Sequence, residues 1–221
     1  MHIVQPQNGF IYYSTAQQLQ RGAFKGMREG QIDLLGERLP FLSTPADAPA
    51  SESGRCRIAL KQPYLPNPRS SSSDSSSPAI SALAISPDNQ VKELAADSLS
   101  IQWAAALLQD VYDFIASYQQ RHSVTCPVKI PLFRFVTSGL AMTNFPGEEP
   151  SHKEVFLVEE LIKSDGPWKK YINNNSARPC HFSDHDNHCR LEFLAFCQHV
   201  QYWRTNKLVF TSDFQGEWHM F

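Results

Sequence analysis

The chain has 221 residues, of which 42% are hydrophobic and 11% aromatic, so it is long and apolar enough to bury a core. A formal charge of -2 at pH 7 excludes a strongly basic nucleic-acid-binding surface and an acidic solvated tail. No apolar run approaches the ~20 residues of a membrane-spanning helix, and the amino terminus lacks the pattern of a secretory signal. We therefore expect an intracellular, cytoplasmic protein that binds neither nucleic acid nor membrane.

Glycines recur in the stretch RGAFKGMREGQIDLL, at Gly22, Gly26 and Gly30. Glycine allows tight turns and the close approach of a ligand, so we predict a hairpin with a glycine loop here. Downstream, the alternation in CRIALK predicts a strand that ends at Lys61. The Lys61 ammonium is a candidate for contact with phosphate oxygens, and the alternative is a solvated lysine at a sheet edge.

Residues 66–87, with RSSSSDSSSP at their centre, form a low-complexity segment. Serine, aspartate and proline bury too little apolar surface to offset the entropy of ordering, so a disordered insertion is predicted. A tolerated insertion and a site of phosphorylation both fit this composition.

Two helices are predicted from apolar residues at helical spacing, over residues 97–121 and 189–204. Asp97 or Ser98 is available as the N-cap of the first helix. The apolar stripes that should face the core are Trp103, Leu107, Val111, Phe114 and Tyr118 in the first helix, and Phe193, Phe196, Val200 and Trp203 in the second.

Residues 129–142 and 154–162 have the composition of strands, and turn residues 144–147 separate them. A last strand is predicted over residues 207–211. The order of strands, helix, strands, helix and strand predicts an α+β protein with a small, sheet-rich first lobe and a short second lobe.

Polar residues that could carry chemistry occur in three further segments. The backbone beside Glu159 and Glu160 could pair with an adenine edge, or both carboxylates could simply face solvent. The run KKYINNNS (residues 169–176) offers cations and amide oxygens that suit Mg²⁺ or phosphate-bound water, although asparagines also form ordinary loops. In SDFQG, Asp213 could orient a hydroxyl or accept its proton, while the Gln215 amide oxygen could meet a metal.

The segment CHFSDHDNHC (residues 180–189) is dense in metal-ligating residue types, but its spacing matches no established zinc pattern. A zinc-binding interaction domain built on this segment stays open as an alternative. The five scattered cysteines do not form a disulfide framework, so reduced thiols are predicted. His199 lies in the second helix, near its predicted core face, where a lone histidine is usually a hydrogen-bonded core residue.

Taken in order, seven segments resemble the alpha-kinases, a family of atypical Ser/Thr protein kinases, and are most similar to fungal members. These segments are GAFKGM, RIALKQPY, FRFV, FLVEELI, KKYINNNS, FLAFCQHVQYW and LVFTSDFQG. The resemblance implies a two-lobed α+β fold with ATP between the lobes and an incomplete C-terminal lobe. It covers residues 22–216 as the kinase domain, with an N-terminal segment 1–21 before it and a tail 217–221 after it.

The resemblance also implies roles for individual residues. A glycine loop would cover the phosphates of ATP, lysines would contact them, and the end of a strand would form the hinge that meets adenine. The residues so assigned to ATP are Gly22, Lys25, Gly26, Lys61, Glu159, Glu160, Leu161 and Lys170. Asp213, with Lys61, would be catalytic, and Asn174 and Gln215 would face Mg²⁺. His199 matches the family's first zinc ligand.

The alpha-kinases continue beyond the Gln-Gly pair with a further metal-binding Asp, a glycine-rich loop and a His-Cys-Cys cluster that completes the zinc site. Residues 217–221 do not resemble that continuation, so we expect a C-terminally truncated alpha-kinase. The implied function is ATP-dependent phosphorylation of Ser or Thr in an unidentified protein substrate. The alternative is a catalytically impaired kinase-like module that binds nucleotide or partner proteins.

Overall fold

The computed structural model describes residues 9–14, 20–21, 25–34, 56–63, 85–143, 153–162, 168–175 and 178–216. Its elements in chain order are β1 (Gly9–Tyr13), β2 (Gln20–Arg21), β3 (Lys25–Leu34), β4 (Cys56–Pro63), α1 (Pro87–His122), β5 (Ser138–Met142), β6 (Val155–Glu160), β7 (Lys169–Lys170), α2 (His185–Arg204) and β8 (Gln215–Gly216). This mixture of helix and antiparallel sheet confirms the predicted α+β class.

The chain divides into two compact units. The first comprises Met1–Ser100 and Val136–Leu161, and the second comprises Ile101–Phe135 and Ile162–Phe221. The chain passes between them within α1, before β5 and directly after β6. One predicted domain boundary, at residue 22, and the tail 217–221 fall outside the described residues.

The first unit is built on an antiparallel sheet with the strand order β1-β3-β4-β6-β5, and β2 also pairs with β3. Strand β6 lies inside this sheet, and side chains from both of its faces are buried. One face contributes to a cluster of Ile32, Ile58, Leu60, Phe156 and Val158. On the other face, Val155 and Leu157 pack with Leu94 of α1. The period of two along a strand therefore divides β6 between two apolar layers.

Gly30 occupies a position in β3 that has no room for a side chain. A Cβ there would lie 2.8 Å from Cδ1 of Leu60 and 3.1 Å from the backbone oxygen of Tyr12. Gly139 of β5 differs, because nothing lies within 4 Å of its Cβ position. Close packing therefore requires glycine at position 30 and leaves position 139 open.

The second unit has a core of its own. Its buried residues are Leu108, Val111, Phe133, Tyr171, Ile172, Leu191, Leu194, Cys197, Val200 and Phe214. Within it, the Tyr171 hydroxyl donates to Oδ1 of Asn187 over 2.7 Å, and burial raises the pKa of Tyr171. The fully buried tyrosine thus has a partner for its polar atom, as buried hydroxyls require.

Both helices begin earlier than predicted. Helix α1 starts at Pro87, where the Ser86 carbonyl accepts from Gln90 N over 2.9 Å, so Asp97 and Ser98 lie inside the helix and cap nothing. Proline is favoured at the first helical position because it has no N–H to satisfy. Residues 85–87 are therefore ordered, contrary to the predicted insertion, whereas residues 66–84 lie outside the described residues. Helix α2 starts at His185 because Asp184 is its N-cap.

The helix faces are also rotated from the predicted stripes. Val111 and Val200 are buried as predicted, but Trp103 is 61% exposed and Trp203 is 63% exposed. Tyr118 and Phe196 are exposed as well, and the core takes Leu94 and Leu108 from α1, and Leu191, Leu194, Cys197 and Gln201 from α2. The predicted stripes are therefore offset from the buried faces: Leu108, Leu194 and Cys197 are buried one position after Leu107, Phe193 and Phe196.

Only the second part of the predicted strand 129–142 forms a strand. The Tyr112 hydroxyl donates to the Pro131 carbonyl over 2.9 Å and accepts from Phe133 N over 2.7 Å. A side chain of α1 therefore binds the backbone that would otherwise pair in the sheet. Strand pairing starts at Ser138.

The predicted final strand 207–211 does not form. Instead, the backbone of Thr211 bonds to two glutamine side chains of α2: Gln198 Nε2 donates to its carbonyl and its N–H donates to Gln201 Oε1, each over 2.8 Å. Leu208 is 81% exposed, so the apolar residues of this segment do not pack into the core. Because the glutamines satisfy the backbone, this segment needs no neighbouring strand.

The five cysteines are free, as predicted. Within the described ranges, no helix combines the length and the apolar character needed to cross a bilayer.

Candidate active site

Strands β4 and β6 bring Lys61 and Glu159 together within the first unit. Their register pairs Lys61 with Leu157 and Glu159 with Ala59, so the two charged residues are diagonal neighbours on one face of the sheet. Lys61 Nζ lies 2.6 Å from Glu159 Oε2, and the Glu159 residue is only 7% exposed. Lys61 is therefore not a free edge lysine, and Glu159 does not simply face solvent.

The end of β6 coincides with the point where the chain leaves the first unit. The backbone of Glu159 pairs on both sides, with Ala59 and with Ser138. Glu160 N donates to the Thr137 carbonyl over 3.1 Å, and Leu161 is the first residue after the strand and the last of the unit. Leu161 therefore lies just beyond the strand pairs of β6, and its role in binding adenine stays a prediction.

Part of the predicted glycine loop is described. Strands β2 and β3 pair as a hairpin, with Arg21 opposite Gly26, while Gly22 lies outside the described residues. Gly26 is buried in β3. The Lys25 ammonium forms an ion pair with Asp97 of α1, within the first unit.

In the second unit, β7 and β8 pair antiparallel and place Lys170 opposite Gln215. Lys170 Nζ lies 2.7 Å from Asp213 Oδ1, and the two side chains are 40% and 39% exposed. Beside them, the Ser212 hydroxyl donates to the Asn173 carbonyl over 2.8 Å. The Asn-rich segment and the SDFQG segment, far apart in sequence, therefore run alongside each other.

Asp213 has an unusual backbone conformation, with φ of 60°. Among the described non-glycine residues, the others with positive φ are Ser123, Asn206 and Lys207, which all follow helix ends. Aspartate tolerates this left-handed region better than most residues. Strained residues of this kind cluster at functional sites, and the one here holds the predicted catalytic carboxylate.

Asp213, Asn174 and Gln215 carry oxygen donors of the type that a hard cation takes. Asp213 Oδ1 is shielded from solvent, and the Lys170 ammonium 2.7 Å away compensates its charge. Asn174 and Gln215 are exposed and lie on the two paired segments. Carboxylate and amide oxygens are the ligand types that Mg²⁺ takes. These residue types therefore suit Mg²⁺, and the magnesium site itself stays a prediction.

The predicted zinc ligands do not form a site in the part of the chain that the structure describes, where no three His, Cys, Asp or Glu residues converge on a metal position. His199 is exposed, so its predicted position near the core face is wrong. The alternative of a zinc-binding interaction domain built on residues 180–189 lacks a cluster of three or more ligands among the described residues as well. Helix α2 begins at His185, so the second half of that segment is helical.

A family model described as the alpha-kinase family matches residues 52–221, which is 170 of the 221 residues. The chain belongs to the alpha-kinase family. No curated protein matches this alpha-kinase. Among solved structures it is similar to the alpha-kinase domain of myosin heavy chain kinase A in complex with AMPPCP, with 15% identity and a TM-score of 0.45. That similarity covers 96% of this chain and 71% of the solved one. The assignment rests on the family match.

Sequence reasoning missed the partners of the lysines in this alpha-kinase. Asp97 pairs with Lys25 across 72 positions, and Glu159 pairs with Lys61 through strand register. No local pattern links residues so far apart. Side chains alternate between the two faces of each strand. If β4 and β6 had been known to be neighbours, this alternation could have indicated that Lys61 and Glu159 lie on the same face.

Proposed function

We propose that this alpha-kinase transfers the γ-phosphate of ATP to a serine or threonine hydroxyl of a protein substrate. Family membership supports a protein kinase. The observation that carries the proposal is the cluster at β7 and β8. There Asp213, whose backbone is in the left-handed region, forms an ion pair with Lys170 two residues before Gln215. Phosphoryl transfer needs charge neutralisation and positioning more than covalent chemistry, and these residue types supply both.

In the proposed reaction, Asp213 accepts the hydrogen bond of the substrate hydroxyl and directs its oxygen at the γ-phosphorus. The new P–O bond forms as the bond to the β–γ bridging oxygen breaks, ADP leaves, and the hydroxyl proton passes to the Asp213 carboxylate. Lys61 and Lys170 bind phosphate oxygens as point charges. Bound Mg²⁺ would neutralise charge on the phosphates, and Asn174 and Gln215 would help to hold it.

Adenine is assigned to the chain segment that follows β6. Leu161 offers backbone groups beyond the paired ladder, whereas Glu159 uses its backbone in the sheet and its carboxylate in the ion pair with Lys61. We therefore assign direct adenine contact to the backbone of Leu161, and a positioning role to Glu159 and Glu160, whose backbones pair in the sheet. The segment that holds Gly22, Lys25 and Gly26 is assigned to the phosphates, although Lys25 and Gly26 lie in strand β3 and not in a loop.

Phosphate transfer from radiolabelled ATP and Mg²⁺ to a basic acceptor protein tests the proposal. Asp213→Asn should lower the rate by about a hundredfold or more, since a hundredfold is the lower end of the effect of removing a general base. Asp113→Asn is the matched control, because Asp113 is an exposed aspartate of the same unit. Analysis of the labelled amino acids should show phosphoserine or phosphothreonine. Transfer that is equal in wild type and Asp213→Asn would refute catalysis by this chain.

The alternative function, nucleotide binding without catalysis, has its own outcome in the same experiment. The three lysines proposed for phosphate each lie beside a carboxylate, which leaves their charges balanced without ligand. If no phosphate is transferred but ATP and Mg²⁺ raise the melting temperature, the chain is a binding module. If ATP at millimolar concentration gives no thermal shift and no transfer, both functions are excluded.

A further inference from the structure

The first turns of α2 hold a pair of metal-ligating side chains outside the proposed active site. His185 and Cys189 are exposed and four residues apart, so they lie on one face of the helix, one turn from each other. Cys189 Sγ lies 3.6 Å from His185 Nε2 and 3.9 Å from Nδ1. We propose that this pair binds a soft divalent metal ion of the Zn²⁺ class in an open, two-residue site.

The distance between the two side chains matches the requirement of a tetrahedral ion. With bonds of ~2.3 Å to sulfur and ~2.0–2.1 Å to nitrogen, two ligand atoms on a tetrahedral zinc lie about 3.5 Å apart. The observed separation of 3.6 Å between Sγ and Nε2 is close to this value. Because Sγ also lies 3.9 Å from Nδ1, the exposed imidazole must turn so that one ring nitrogen points at the bound ion. Thiolate and imidazole are also the ligands that select zinc over magnesium or calcium.

The surroundings limit the site to two protein ligands. His188 and Glu192 continue the same helix face, but they contact each other, with Nε2 and Oε1 3.3 Å apart. In the described ranges no third His, Cys, Asp or Glu converges with the pair. Water then completes the coordination, as in open zinc sites, and binding should be weaker than in a four-ligand structural site.

This site is separate from the zinc ligand implied for the family. His199 follows His185 by fourteen residues, which is about 21 Å along a helix that rises 1.5 Å per residue. Metal binding here releases the thiol proton of Cys189 to solvent when the metal–sulfur bond forms, while the imidazole coordinates in its neutral form. Affinity should therefore fall as pH is lowered.

Titration of the purified chain with Co²⁺ under reducing conditions tests the proposal, because a thiolate–cobalt bond gives a near-ultraviolet charge-transfer band. We expect a saturable band with one equivalent, which Zn²⁺ displaces. Cys189→Ser should abolish it, and His185→Gln should weaken binding about tenfold or more. Both positions are exposed, and circular dichroism will verify that the variants fold.

Two matched variants locate the site. Cys180→Ser removes the other thiol of the segment, which lies 3.7 Å from Asn173 Nδ2, and His188→Gln removes a neighbouring histidine of the same helix face. Both should bind Co²⁺ as wild type does. The proposal is overturned if wild type shows no thiolate–cobalt band, if the band persists in Cys189→Ser, or if Cys180→Ser abolishes it.

Discussion

Removal of the Lys61 ammonium should destabilise the first unit, because it leaves the Glu159 carboxylate buried without its counter-charge. Glu159 is 7% exposed and lies 2.6 Å from Nζ, whereas the Lys61 side chain is 34% exposed. Loss of one partner costs about 3–5 kcal/mol in a fully buried pair and about 0.2–1 kcal/mol at the surface. For this half-buried pair we expect Lys61→Met to lower the free energy of unfolding by about 2 kcal/mol.

A double-mutant cycle separates this effect from the loss of methylene packing. Glu159→Gln removes the charge but keeps the shape, so the double variant Lys61→Met/Glu159→Gln should recover most of the loss, with a coupling energy of about 1 kcal/mol or more. Urea unfolding at neutral pH measures it, and thermal unfolding should show a drop of about 4–8 °C for Lys61→Met, at ~2–4 °C per kcal/mol. Lys92→Met is the control, since Lys92 is an exposed residue of α1 in the same unit.

The reasoning is refuted if the two single losses simply add in the double variant. It is also refuted if Lys61→Met is as stable as Lys92→Met. The outcome matters for function as well, because a lysine variant that loses phosphate transfer by unfolding says nothing about phosphate contact. Activity of Lys61→Met should therefore be compared with that of the double variant at a temperature where both are folded.

Three further predictions concern packing and ionisation. Gly30→Ala should destabilise the protein by about 1–2 kcal/mol through overpacking, whereas Gly139→Ala should be neutral or stabilise it by up to ~1 kcal/mol; equal effects in urea unfolding would contradict the packing difference. Arg204 holds the pKa of Asp110 below its ordinary value through a side-chain hydrogen bond, so this pair stabilises the fold above the unfolded pKa and loses its effect as pH falls through the lowered folded value. Because both side chains are more than a third exposed, Asp110→Asn should cost under ~1 kcal/mol at pH 7 and progressively less as acid protonates Asp110, and a cost independent of pH would refute the linkage. Burial raises the pKa of Cys197 to about 12, so the thiol stays protonated at pH 8 and a thiol reagent should modify it only after unfolding; mass spectrometry that finds early modification there would contradict this.

Much of the fold could be predicted from local patterns. The alternation in CRIALK and the apolar run VFLVE predicted strands that the structure contains, because side chains of these residues must be divided between two faces of a sheet. Both helices were predicted from their apolar spacing, although their starts were not. The family could be identified because its segments keep their order along the chain.

The tertiary structure decided what each segment pairs with. The run before Asp213 has strand-forming residues, yet Gln198 and Gln201 of α2 bind its backbone, and pairing begins only at Gln215. In the same way the partner of Lys61 depends on which strand lies beside β4. Local sequence determines which backbone conformations of a segment are low in free energy. The groups that hydrogen-bond to its backbone or pair with its charged side chains come from distant parts of the chain. Only the folded chain therefore determined that Asp213 faces Lys170 and that Glu159 faces Lys61.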